Sequence, residues 1–192
     1  AKTPIGETMN CLMKLKKEGK VRAIGNANVS LEELDSYRRA GELDSNQFRF
    51  SMLSRGAEQE QTPFCKKYDI SGIAYWRLEQ GLLAGGVGPD RVFSEDDFRN
   101  DAADWLPWFR IENRRRLQGM FSGWKDLTEK YECSIGNIST AWTLGQPGVT
   151  HVLLGNSSAQ QAISNAYAGS LRLEQEDMKR IDADLVGLGP AA

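Results

Sequence analysis

The sequence predicts an α/β protein whose strands run parallel. Short apolar runs alternate with longer amphipathic segments, and four such runs occur, each followed by a helical pattern. Each run also ends in polar or glycine-rich residues, where α/β folds carry their ligands.

The first helix is punctuated by Thr3 as N-cap and Pro4 at the first helical position, and Gly19 stops it. Ile5, Met9, Leu12 and Met13 form its apolar stripe. Residues 21–25 read as a buried strand. Ser30 and Glu33 form a capping box that opens a second helix, which Gly41 ends. A strand over residues 46–50, a helix over 57–68 and an apolar, aromatic strand over 70–76 follow. Residues 85–107 carry Gly, Pro and Asp without a period and are expected to form a long loop. Two helices come next, over 110–131 and 137–144, then a fourth strand over 150–154 and a helix over 158–168. A last helix runs from 174 to about 187, with Met178, Ile181 and Leu185 turned inward.

Periodicity fits both a doubly wound sheet and a piece of a barrel. The strand ends favour the barrel: Asn26 and Asn28, Gln47, Tyr75 to Arg77, and Gly155 to Ser158 would converge on one rim.

Composition excludes several functions. Lys and Arg number 24 against 26 Asp and Glu, a formal charge of −2, with no basic footprint for nucleic acid. The one dense basic run, Arg114-Arg115-Arg116, reads as a solvated helix face. Cys11, Cys65 and Cys133 make no metal-ligand spacing and suit reduced thiols in the cytoplasm. No metal site or nucleophilic triad forms around the single histidine, His151. No apolar run reaches the ~18 residues of a membrane span.

The order of these pieces resembles the aldo-keto reductase family, in the branch that includes bacterial oxidoreductases and potassium-channel β subunits. The resemblance is carried by Leu15-Lys16-Lys17-Glu18-Gly19-Lys20-Val21-Arg22-Ala23-Ile24-Gly25, Ile73-Ala74-Tyr75, Leu78-Glu79-Gln80-Gly81-Leu82-Leu83, Gln146-Pro147-Gly148-Val149 and residues 173–185. It implies the C-terminal half of a (β/α)8 barrel: one partial-barrel domain over 1–192 that supplies strands five to eight, four parallel strands with flanking helices. A whole TIM barrel takes ~250 residues.

The resemblance implies an NAD(P)H-dependent carbonyl or alcohol oxidoreductase acting on a small carbonyl or sugar-like substrate. This chain would be its cofactor-binding half, with oligomers possible. The family's catalytic Asp, Tyr, Lys and His belong to the N-terminal half, so no residue here inherits those roles, Tyr75 and His151 included. The alternative is a non-catalytic nicotinamide-binding regulatory module.

Residue by residue, the resemblance gives Asn28 and Gln47 to the carboxamide, whose donor and acceptor they can match, and Tyr75 to stacking on the nicotinamide ring. Trp76 and Arg77 stand where the family has Ser-Pro, beside the pyrophosphate, and Leu78, Gly81 and Leu82 are contact positions of the same segment. Gly155, Asn156, Ser157 and Ser158 would meet the adenosine phosphates at a helix N-terminus, and Gln161 and Asn165 the adenine and 2′ position. Ser157 stands where many relatives place Lys or Arg, and no Lys or Arg occurs from residue 150 to 170. Cofactor choice between NAD and NADP is therefore left open, with NAD more plausible than usual for the family. The loop over 85–107, with Trp105 and Trp108 at its end, resembles the family's variable loop over the cofactor and substrate mouth, and these aromatics either line a pocket there or cover the barrel's outer face.

Overall fold

A computed structural model describes residues 3–192. The chain forms two compact units.

The first takes in the residues up to Phe50, then Ser54–Tyr75 and Gln146–Leu153. It holds helices α1 (Ile5–Lys17), α2 (Leu31–Ala40) and α3 (Gln61–Lys67). It also holds a four-stranded sheet of β1 (Gly25–Ala27), β2 (Ser45–Arg49), β3 (Ser71–Tyr75) and β4 (His151–Val152). The strands lie in sequential order, all parallel, with Ala27 opposite Gln47, Gln47 opposite Ile73 and Ile73 opposite His151. The fold class is thus the α/β, parallel one the alternation predicts.

Strand pleating sorts the residues of β2 and β3 by face. Asn46, Phe48, Gly72 and Ala74 are buried, on the side where α3 packs, and Asn46 Nδ2 donates to Gln61 Oε1 at 2.7 Å. Ser45, Gln47, Arg49, Ser71, Ile73 and Tyr75, on the opposite face, are only half-buried. Gly72 is required by close packing: a Cβ there would lie 2.0 Å from the Gly148 carbonyl oxygen.

Several boundaries differ from the sequence reading. Pro4, not Thr3, takes the N-cap position of α1, and its carbonyl accepts from the Thr8 amide at 3.2 Å. The first strand begins at Gly25 rather than at residue 21. Ile24 is bound instead to the neighbouring loop: its amide donates to Asp44 Oδ2 and its carbonyl accepts from the Asp44 amide, each at 2.7 Å. The helix expected over 57–68 starts only at Gln61, after a 3-10 turn at Gly56–Glu58, because Pro63 is tolerated only within a first turn. The fourth strand shrinks to two residues, although Thr150 and Leu153 add ladder bonds to Gly72 and Ala74 at 2.8 Å each. The capping box of α2 is present as read, with Glu33 N to Ser30 Oγ at 3.2 Å and Ser30 N to Glu33 Oε2 at 2.9 Å.

The second unit comprises Ser51–Leu53, Trp76–Gly145 and Leu154–Ala192. It is helical: α4 (Ala102–Trp105), α5 (Ile111–Ser122), α6 (Lys125–Lys130), α7 (Ile135–Leu144), α8 (Ala159–Ser170) and α9 (Gln175–Leu188). The expected loop over 85–107 is irregular only in its first part. Phe98–Asp101 and Pro107–Phe109 are 3-10 turns flanking α4, and the Asp97 carboxylate caps the first of them through the Arg99 amide. The single helix expected over 110–131 is broken at Gly123, which caps α5, while the buried Trp124 donates its indole N–H to Asp184 of α9 at 2.7 Å. Leu117, Phe121, Leu127, Ile138, Trp142, Ile181 and Leu185 form the core. Among the described residues no helix is long and apolar enough to cross a membrane, and no group of three or more His, Cys, Asp or Glu side chains is placed to hold a metal.

Candidate functional site

In the first unit, three of the residues singled out by sequence sit at the carboxyl-end region of β1 to β3. Asn28 follows β1 in the left-handed region, at φ 56°, where asparagine is better tolerated than most residues. Its amide donates to the Gln47 carbonyl at 3.1 Å, and its side-chain oxygen accepts from the Tyr75 hydroxyl at 2.6 Å. Gln47 and Tyr75 share the half-buried face of the sheet. Asn28 and Tyr75 are therefore brought together through their side chains, whereas Gln47 meets Asn28 through its main-chain carbonyl and lies on the same sheet face as Tyr75. Asn26 instead turns its side chain inward, with both amide atoms buried and without a hydrogen-bond partner among the described residues. His151 is exposed on β4, its Nδ1 2.9 Å from Thr150 Oγ1.

In the second unit, the segment that opens with Trp76 is unusually strained. Trp76, Glu79, Gln80 and Gly81 have φ of 61°, 44°, 57° and 101°. Non-glycine residues in that region cost of order 1–3 kcal/mol each, a strain that clusters at ligand sites. The turn is held by Gly81 N to Leu78 O at 2.9 Å and by the buried Glu79 carboxylate, which accepts from Ser51 Oγ at 2.6 Å. Ser51 and Glu79 escaped the sequence reading, because nothing local marks a pair 28 residues apart. Leu82 is buried, and Leu78 and Gly81 are half-buried. The Trp76 ring lies 6.1 Å from Trp105, which lies 6.3 Å from Phe98, a half-open aromatic row. Trp108 instead lies beneath the Arg116 guanidinium, 5.3 Å away.

Arg77 does not reach solvent. It is 1 % exposed, donates to the Gly136 carbonyl and to Asn165 Oδ1, both at 3.2 Å, and leaves Nε without a partner among the described residues. Among the described residues no carboxylate stands within ion-pairing distance. Burial lowers its pKa to about 9, still cationic at neutral pH.

The loop before α8 is exposed. Ser158 caps the helix, accepting from the Gln161 amide at 3.2 Å. The Gln161 side-chain oxygen accepts from both the amide and the hydroxyl of Ser157, at 2.7 and 2.9 Å. Two amides expected to be free for an anion are thus occupied by side chains. Asn165 Nδ2 donates to Asn156 Oδ1 at 2.6 Å. A Cβ at Gly155 would meet nothing within 4 Å, so its backbone borders open space.

A family profile described as the aldo/keto reductase family matches residues 1–185. An Escherichia coli protein named NADH-specific methylglyoxal reductase is 37 % identical over 175 residues, 91 % of this chain and 52 % of its own length. A Bacillus subtilis aldo-keto reductase is 30 % identical over 183 residues, 95 % of this chain and 54 % of its own. Among solved structures, a glycerol dehydrogenase from Gluconobacter oxydans superposes with a TM-score of 0.88 at 29 % identity, over 100 % of this chain and 57 % of its own. The chain spans about half the length of the curated relatives it matches.

Proposed function

The chain belongs to the aldo/keto reductase family, and from that premise we propose that it is the cofactor-binding part of an NAD(P)H-dependent carbonyl reductase. On this reading residues 1–192 form one partial barrel, strands five to eight of a (β/α)8 fold, and the remaining strands carry the proton donor and part of the substrate pocket. Four sequential parallel strands and a match to little more than half of a solved relative support that assignment. The three free cysteines suit a cytoplasmic protein.

The observation that carries the proposal is the Tyr75 hydroxyl bonded to the Asn28 side chain, with Gln47 of β2 on the same half-buried sheet face. Two amides and one ring on a half-buried face match a flat heteroaromatic ring bearing a carboxamide. Asn28 and Gln47 would hold the carboxamide, and Tyr75 would cover one ring face and leave the other to the substrate. The cofactor, when bound, supplies a hydride. Gly155, with open space beside its backbone, would pass the phosphates, with Asn156, Ser157, Ser158, Gln161 and Asn165 toward the adenosine. Trp76, Leu78, Gly81 and Leu82 would line the pyrophosphate segment.

The test is oxidation of NADH and NADPH by the full-length protein with a panel of small aldehydes, ketones and sugars. Carbonyl-dependent oxidation is expected, with weaker cofactor binding in Asn28→Ala by the equivalent of one hydrogen bond, roughly 0.5–1.5 kcal/mol. Equal affinity of the variant for both nucleotides would remove the site assignment.

A further inference from the structure

We propose that Arg77 is a positioning residue for the adenosine end of the nucleotide: through Asn165 and Asn156 it holds the loop that precedes α8. This rests on the nicotinamide-dinucleotide reading above.

The burial of Arg77 is expensive. A guanidinium at 1 % exposure with no carboxylate partner is disfavoured. A methionine of similar length would fill the space without that penalty. Packing therefore does not account for the charge, and its hydrogen bonds must. One goes to a main-chain carbonyl, Gly136, and among the described residues the only side chain it engages is Asn165.

An amide side chain presents oxygen on one side and NH2 on the other, and local sterics barely distinguish the two orientations. A guanidinium can only donate. Arg77 thus forces Asn165 Oδ1 toward itself and turns Nδ2 outward. Nδ2 donates to Asn156 Oδ1 at 2.6 Å, and Asn156 Nδ2 donates to the Leu154 carbonyl at 3.1 Å. Every donor in this relay points the same way, from Arg77 to the main chain just before Gly155. Remove the cation, and the orientation of both asparagines is no longer imposed. The polar surface shown to an adenosine is then no longer fixed in advance.

Titration calorimetry on the full-length protein with NADH and with reduced nicotinamide mononucleotide, which lacks the adenosine half, separates this role from a general one. Arg77→Met is expected to weaken NADH about tenfold, as for one charge-assisted hydrogen bond, and to leave the mononucleotide unchanged. Asn156→Ala, in an exposed loop, is expected to reproduce the NADH-selective loss. The double variant is expected to lose no more than the worse single one, since both break one relay. If Arg77→Met does not fold, Arg77→Lys, which keeps a charged donor, takes its place with the same expected NADH-selective loss, and an unchanged NADH affinity in Asn156→Ala overturns the proposal. Equal losses for both nucleotides, or additive losses in the double variant, overturn it as well. NADH binding by the wild type with no loss in either variant overturns this inference alone, whereas a wild type that binds no NADH overturns both it and the reading beneath it.

Discussion

Asn28 carries two separable burdens, a left-handed backbone at φ 56° and a side-chain oxygen that receives the Tyr75 hydroxyl at 2.6 Å. Glycine relieves the first and loses the second, whereas alanine fails at both. Asn28→Gly is therefore expected to unfold at a urea concentration close to wild type while weakening cofactor binding. Asn28→Ala is expected to lose a further ~1 kcal/mol of stability. Equal stability of the two variants would show that the backbone there carries no strain. A second expectation concerns cofactor choice. Ser157 and Gln161 are exposed and uncharged, and no Lys or Arg lies between residues 150 and 170, so the full-length enzyme should not strongly favour NADPH. Ser157→Arg should move the ratio of kcat/KM values toward NADPH, and a wild-type preference of a hundredfold for NADPH would refute the premise. The strand-end positions of Asn28 and Tyr75 could be read from the sequence, because polar residues that follow short apolar runs are locally visible. The relay from Arg77 could not, since its partners lie 59 and 88 residues away and only packing brings them together.

At the scale of elements, helices with explicit stop and start chemistry were read closely, as the capping box of α2 and the Ser158 cap of α8 show. Strands were read in place but not in extent. Residues 21–24 look like strand because they are apolar, yet Asp44 takes the Ile24 amide and delays β1 to Gly25. The same carboxylate receives Lys16 of α1 at 2.9 Å, which ties the helix to the strand entry. The hydrogen bond from Lys16, then that from the Ile24 amide, holds the Asp44 carboxyl below the usual carboxylate range. A depressed folded-state pKa means that the stabilisation is present above the unfolded value of about 3.9 and is lost as pH falls through the folded one. Asp44→Asn is thus expected to be less stable than wild type at pH 7, with the difference shrinking below about pH 4. Urea unfolding at several pH values checks this, and a difference that stays constant down to acid would place the effect in packing instead.

For the whole molecule, parallel direction was predictable from the strand–helix alternation, and sequential order only once the barrel resemblance was added to it. The division into two compact units was not, because it depends on which strand-end segments join the helices. Among the described residues β1 and β4 each pair with a single strand, whereas a closed barrel leaves no edge. Together with the proposed assignment to strands five to eight, this leads to an expectation about activity: the 192-residue chain by itself should not reduce carbonyls. Hydride delivery to an aldehyde or ketone leaves negative charge on oxygen, which a positioned acid must neutralise, and proton donation typically contributes 10²–10⁴-fold. Tyr75 and His151 are otherwise placed. The Tyr75 hydroxyl donates to Asn28, and His151 stands exposed beside Thr150. The check is to assay the purified chain with NADH, NADPH and a carbonyl panel, then to repeat the assay after mixing in a separately expressed segment carrying the first four strands of a related family member. Turnover only in the mixture would bear out the division of labour. Turnover by the chain alone, abolished by Tyr75→Phe, would move the proton donor onto β3 and overturn the assignment of Tyr75 to the nicotinamide ring.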